Sequence, residues 1–197
     1  TRYPKCGDNN PKVRIGIVDV QEGKTAWADF DENDDQYFGT PFWGAGSEAF
    51  YIQREPRTQN TLDLYAVSPV DGTKKHIYHE SYKTWLDWID GMLFGRDGIY
   101  MVRSFETDWQ QIYYLSYDGS VLKRLTDGEN WRMSLVDVKE GKAMKGFDGG
   151  SSEVLFVAER DSRVRSGLYS VCKGVIRNIS DPDMHVTSVQ VSPDQRY

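Results

Sequence analysis

The sequence predicts an all-β chain folded as part of a β-propeller. Three observations carry that prediction. A unit built around a glycine turn recurs four times, with turn glycines at Gly23, Gly72, Gly119 and Gly174, spaced by 49, 47 and 55 residues. The runs flanking each turn are short and rich in aromatic and β-branched residues, as strands are. No window sustains a helical period. A repeat of about fifty residues with several short strands apiece is the signature of propeller blades.

The elements follow in order. The first unit, RIGIVDV-QEG-KTAWADF, supplies two strands around Gly23 and reads as the outer half of a blade. The acidic run Asp29–Asp35 (DFDENDD) follows as a turn-like connection. The second unit places Phe42–Trp43 and Phe50–Gln53 around a turn at Gly44–Glu48, then LDLYAVSPVDG-TKKHIYHES around Gly72. The third pairs Met92–Phe94 with Ile99–Arg103 across Arg96-Asp97-Gly98, then QQIYYLSYDG-SVLKRLTDGE around Gly119. Alternation puts Tyr100 and Val102 on one face of that strand, and Ile99, Met101 and Arg103 on the other. The fourth joins Leu135–Val138 to Val154–Ala158 by a longer connection, then SGLYSVCKG-VIRNISDPD around Gly174. Thr187–Asp194 reads as the innermost strand and first turn of one more blade.

The expected blades are therefore 1–30 (partial), 40–80, 90–128, 133–182 and 186–197 (partial). Three complete four-stranded antiparallel blades with a partial blade at each end do not close a ring, and closure is what removes a propeller's exposed edges. The chain is expected to be a segment of a longer polypeptide. Its uncovered blade faces should then drive self-association.

Composition excludes several classes. With 197 residues, 39% of them hydrophobic and 13% aromatic, the chain has material for a core and is not disordered. A net charge of −6 excludes a nucleic-acid surface, which needs clustered Lys and Arg. No run approaches the roughly 18 apolar residues of a membrane span. Cys6 and Cys172 have no metal-ligand spacing and fall blades apart, so they read as free thiols.

Short motifs inside the repeat resemble one family. Tyr3–Val20 (YPKCGDNNPKVRIGIVDV) is similar to the Tyr-Pro-Lys-Ala-Gly…Asn-Pro segment of the dipeptidyl peptidase IV family. Arg57, Gln59, Asn60 and Leu62 match its Arg-x-x-Gln-Asn-x-Leu stretch, and Thr84-Trp85 fits its next Thr-Trp site. Ser104 through Trp109 to Ile112-Tyr113, then Leu125-Thr126-Asp127-Gly128 and Trp131, follow the family's next blade in order. His185–Tyr197 resembles the strand ending Ser-Pro-Asp-Gly-Lys-Tyr, with Gln195 in place of the turn glycine. Phe105-Glu106-Thr107-Asp108 departs from the usual Glu-Arg-Asp-Gly, one extra residue separates Gly128 from Trp131, and Arg132 stands where Glu is usual. These departures point to a divergent, bacterial member.

The resemblance implies an eight-bladed propeller joined to a C-terminal α/β-hydrolase domain with a Ser-Asp-His triad. Such enzymes remove dipeptides from N-termini, with proline or alanine favoured at the second position. A pair of glutamates on a helical insertion, upstream of the segment matched here, holds the substrate's amino group. Both halves of the active site would lie outside this chain. Its partners would be the hydrolase domain of the same polypeptide and, through it, peptide substrates. An extracytoplasmic, periplasmic location is the matching expectation. The alternative is a non-enzymatic periplasmic scaffold of the Tol type. Ser192-Pro193-Asp194 and Leu125-Thr126 fit that looser pattern, but Tyr3-Pro4-Lys5 and Gln59-Asn60 do not.

The residues themselves nominate no chemistry. No serine sits in the Gly-x-Ser-x-Gly elbow that strains a nucleophile into reach; Gly46-Ser47 and Gly149-Gly150-Ser151-Ser152 lack the closing glycine and read as flexible turns. His76 and His79 are three apart, which on a regular strand points them to opposite faces and away from a shared metal. Asp29-Phe30-Asp31-Glu32-Asn33 imitates a calcium loop, but Asp34 and Thr40 occupy the positions that need Gly and Glu. Asn178-Ile179-Ser180 is a glycosylation sequon with meaning only in a secretory setting. Trp27, Trp43, Trp85, Trp88, Trp109 and Trp131 lie near blade ends and read as packing between blades. No catalytic, cofactor-binding or metal-binding residue is assigned, and no cofactor is expected.

Overall fold

A computed structural model describes residues 4–44 and 46–197; Tyr3, the first residue of the Tyr-Pro-Lys motif, lies outside the described residues. The chain is all-β, with open antiparallel sheets and no helix among the described residues. It divides into two compact units, residues 1–88 and 89–197.

The first unit holds two sheets. β1 (Gly16–Asp19) and β2 (Lys24–Trp27) form a hairpin in which Asp19 faces Lys24. The Asp19 carboxylate accepts the backbone N–H groups of Glu22 and Gln21, which fixes the turn and holds its pKa below the ordinary value. The second sheet comprises β3 (Gln36–Phe38), β4 (Phe42–Trp43), β5 (Phe50–Pro56), β6 (Thr61–Val67) and β7 (Lys74–Ser81). Its order is β3-β5-β6-β7, and β4 also pairs with β5, so two short strands share one edge of β5. The sequence reading placed only Phe42–Trp43 there. Gln36–Phe38 is too short, and too close to the acidic run, to declare itself by alternation.

Between these two sheets Ile17, Ala28, Phe50, Ile52 and Val67 form one core, with Phe30, Phe38 and Tyr65 packed against it. Phe30 sits edge-on to both Phe38 and Tyr65, at centroid distances of 4.9 and 5.1 Å. Each aliphatic side chain fully removed from water contributes about 1.5–3 kcal/mol.

The second unit holds two four-stranded sheets. One has the order β11-β10-β9-β8, from β8 (Leu93–Phe94), β9 (Gly98–Arg103), β10 (Gln111–Ser116) and β11 (Leu122–Arg124). The other runs β12 (Arg132–Lys139), β13 (Glu153–Glu159), β14 (Gly167–Cys172), β15 (Val175–Asn178), in that order. Each is a meander in which every strand pairs with its neighbour in sequence. Tyr100, Ile112, Tyr114 and Leu125 from one sheet meet Met133, Val154, Phe156, Tyr169 and Val171 from the other in a single core. The alternation read in β9 holds, but Ile99 and Met101 on its other face are also fully buried, so both faces of this strand are covered.

The repeat glycines show why the fifty-residue period is legible. Gly23, Gly72, Gly119 and Gly174 each fall in the turn between the last two strands of a sheet, at φ of 68°, 77°, 75° and 75°. A side chain there would strain the left-handed backbone, so glycine recurs with the architecture. Gln195 takes the same conformation without a glycine, at φ 54°, in a turn closed by its N–H to the Ser192 carbonyl at 2.8 Å. Thr187–Val191, read as a strand, forms no ladder among the described residues.

Candidate functional site

The one set of side chains in the described residues with metal-ligand chemistry lies on β6 and β7. Asp63 sits directly across from His79, and Tyr65 across from His76. Between these pairs the register shifts: Leu64 faces Tyr78, Tyr65 faces His76, and Ile77 is an extra residue with no partner on β6. This β-bulge overturns the sequence reading that His76 and His79 point to opposite faces. With one residue inserted, positions 76 and 79 behave as neighbours two apart and share a face. Ile77 and Tyr78 are each about 95% buried, while the histidines on either side of them stay about half exposed. The signal was in the sequence: an adjacent apolar pair, Ile77-Tyr78, breaks the alternation between two histidines.

As a result both imidazoles converge on one carboxylate oxygen. His76 Nε2 lies 2.9 Å and His79 Nδ1 2.6 Å from Asp63 Oδ1. Asp63 is largely covered whereas both rings are about half exposed. The Tyr65 ring meets His76 edge-on at 5.2 Å. Arg54, the cross-strand partner of Asp63 on β5, turns its guanidinium to Gln36 at 2.5 Å and Asp34 at 3.0 Å. The third histidine, His185, is remote in sequence and accepts the Ser166 N–H at 3.0 Å.

The other sequence candidates resolve into structure. The acidic run is neutralised residue by residue: Asp29 pairs with Lys74, Glu32 with Arg14, Asp34 with Arg54 and Asp35 with Arg57. Asp31 folds back on the Asn33 N–H and amide, which hold its pKa down. These carboxylates therefore face cations and amides rather than converging on a common point. Ser152 is buried, and its hydroxyl receives hydrogen bonds from Tyr100 at 2.8 Å and from the Gly141 N–H at 3.1 Å. Ser47 occupies a turn at φ 58°. The Asn178 side-chain oxygen accepts both the N–H and the hydroxyl of Ser180 at 3.0 Å. Cys6 and Cys172 are free, the latter directed at the Ser151 carbonyl. Trp109 and Trp131 sit edge to face at 4.6 Å, with Arg163 over Trp131, while the Arg14 guanidinium lies 4.0 Å over Trp27.

Several residues of the short motifs quoted above lie in connections between strands. Gln59 turns the chain between β5 and β6 at φ 51°, where its carbonyl accepts the Leu86 N–H and the Asn60 carbonyl accepts that of Tyr82. Leu62 is fully buried beside them. Thr126 lies in a buried network: Gln111 Oε1 accepts from the Thr126 hydroxyl at 2.7 Å and from the Asn130 amide at 3.0 Å. The Gln111 amide in turn donates to the Gly128 carbonyl at 2.7 Å, and Arg160 donates to Asn130 Oδ1 at 2.8 Å. Buried polar groups so matched specify one connection between sheets.

Comparison with known proteins agrees with this architecture. The model of the dipeptidyl peptidase IV N-terminal region family matches residues 1–197. Among solved structures, dipeptidyl peptidase 4 from Porphyromonas gingivalis superposes with a TM-score of 0.73 at 22% identity, over 91% of this chain and 24% of that one. A candidate dipeptidyl aminopeptidase IV from Bacteroides ovatus gives 0.68 at 19% identity, over 89% of this chain and 27% of that one. At such identities the superpositions establish the fold, a partial β-propeller. The chain spans about a quarter of the length of the solved structures it matches. Matched by the family model from end to end, it belongs to the dipeptidyl peptidase IV N-terminal region family.

Proposed function

We propose that this chain is a wall segment of the chamber of a dipeptidyl peptidase IV-like serine exopeptidase. The observation that carries the reading is the family match over all 197 residues. In this reading the blades exclude folded protein and admit only a short, unfolded N-terminus to a hydrolase domain elsewhere in the same polypeptide. Exclusion of this kind sets specificity without supplying a catalytic group. The enzyme would release dipeptides with proline or alanine second, in an extracytoplasmic, periplasmic setting.

The sheets suit a wall. Their cores are stitched by aromatic pairs and buried polar networks, so the segment can hold shape while peptides pass. The test uses the full-length polypeptide encoded by the gene. It should cleave a chromogenic Gly-Pro anilide, and a fluorophosphonate should label a serine outside residues 1–197. It should also leave the N-terminus of a folded protein intact while trimming the same N-terminus in a free peptide. A full-length protein with no fluorophosphonate-reactive serine would refute the peptidase reading. Equal trimming of folded and free N-termini would refute the gate.

A further inference from the structure

We propose that Asp63, His76 and His79 form a binding site for a divalent first-row transition metal, with Zn2+ the expected occupant. The donor set is two imidazole nitrogens and one carboxylate oxygen, the combination that suits zinc, copper, nickel or cobalt rather than calcium or magnesium. The three ligand atoms lie within 4.8 Å of one another. Two of the three separations, 2.9 and 2.6 Å, already run through the shared oxygen. Ligand atoms about 2.1 Å from a tetrahedral zinc stand roughly 3.3 Å apart, so these two contacts need to open by roughly half an ångström. Half-exposed rings can turn that far, whereas Asp63 is held by its strand.

The hydrogen-bonded arrangement is the natural apo form of such a site. Each imidazole now meets the carboxylate through His76 Nε2 or His79 Nδ1, and in the neutral ring that nitrogen carries the proton. The metal would replace both bridging hydrogens, with the protons moving to His76 Nδ1 and His79 Nε2. Three protein ligands leave the fourth position open to water.

The bulge is what makes the site, and this separates it from two histidines that happen to share a partner. Ile77 spends one residue outside the ladder, and the result is that Asp63, His76 and His79 present one donor each from a single face. Arg54 leaves Asp63 to the histidines by pairing with Asp34 and Gln36 instead. A bound cation would cross-link β6 to β7 beside the discontinuity that the bulge introduces.

The experiment is titration of the 197-residue chain with Zn2+ alone, by calorimetry, and with Co2+ alone, by visible absorption. The expected result is one ion per chain with a Kd below about 100 μM at neutral pH, a d–d spectrum of tetrahedral intensity with Co2+, and a raised unfolding midpoint. His76→Ala and His79→Ala should each weaken binding at least about tenfold, and His185→Ala should leave it unchanged. Because the rings are half exposed, the two alanine variants should keep the fold, which near-ultraviolet circular dichroism checks. His76→Gln and His79→Gln, which retain a polar head, replace them if it fails. Absence of binding at 1 mM Zn2+ overturns the proposal, as does binding of equal strength in the His76 and His79 variants.

Discussion

Replacing Gly72 by alanine should destabilise the first unit far more than the same change at Gly23, although both glycines close the same kind of turn. Their φ values are 77° and 68°, so each alanine carries a similar left-handed strain of about 1 kcal/mol. The surroundings differ. A Cβ at Gly23 meets nothing within 4 Å, whereas one at Gly72 runs into the Trp27 backbone carbonyl. That collision must push the turn away from β2. The shift breaks the hydrogen bond from the Asp29 N–H to the Gly72 carbonyl, 3.0 Å long, at about 1 kcal/mol. It also loosens Lys74 from Asp29. Adding roughly 1 kcal/mol for the displaced backbone brings Gly72→Ala to about 3 kcal/mol, against about 1 kcal/mol for Gly23→Ala. For a unit of this size each kcal/mol moves the midpoint by about 4–8 °C, so the losses should be about 15 and 5 °C. Thermal unfolding followed by tryptophan fluorescence at fixed protein concentration reads both. Equal losses would refute the claim that the Gly72 turn docks on the end of β2.

Three further outcomes are expected. Gln111→Leu should cost about 2 kcal/mol in urea unfolding, because it strands the buried Thr126 hydroxyl and leaves the buried Asn130 amide only its longer contacts of 3.5 and 3.4 Å to the Asp127 and Gly128 carbonyls; a loss below about 1 kcal/mol would show the network to be dispensable. Burial raises Tyr51 and Tyr100 to about 12, and pushes Tyr113 and Tyr114 up further. The unfolded chain then ionises first, so stability should fall as pH rises above about 10 and continue falling to about 12. Absorbance at 295 nm should therefore show these tyrosines ionising together with unfolding, and separate ionisation near pH 10 in the folded chain would contradict it. The isolated chain should self-associate through apolar surface such as Val18, Val20, Trp27 and Trp43, which is exposed. Sedimentation showing a clean monomer at high concentration would exclude that.

Most of the architecture was legible in the amino-acid sequence. Four glycines forced to positive φ, each between short aromatic-rich strands, set the period, the antiparallel hairpins and the family likeness, because a left-handed turn tolerates few other residues. Turn residues flanked by aromatic and β-branched runs located most of β4 to β15 to within a few residues, since both signals are local to the chain. They did not locate β3, a three-residue strand whose place is set by its pairing with Arg54–Pro56 rather than by its own pattern. Nor did they locate the histidine pair. Strict alternation separates His76 from His79, and the register shift that leaves Ile77 unpaired between Leu64 and Tyr65 reunites them. Tertiary packing decided that single register shift, and with it whether two histidines and an aspartate 13 and 16 residues away share one face.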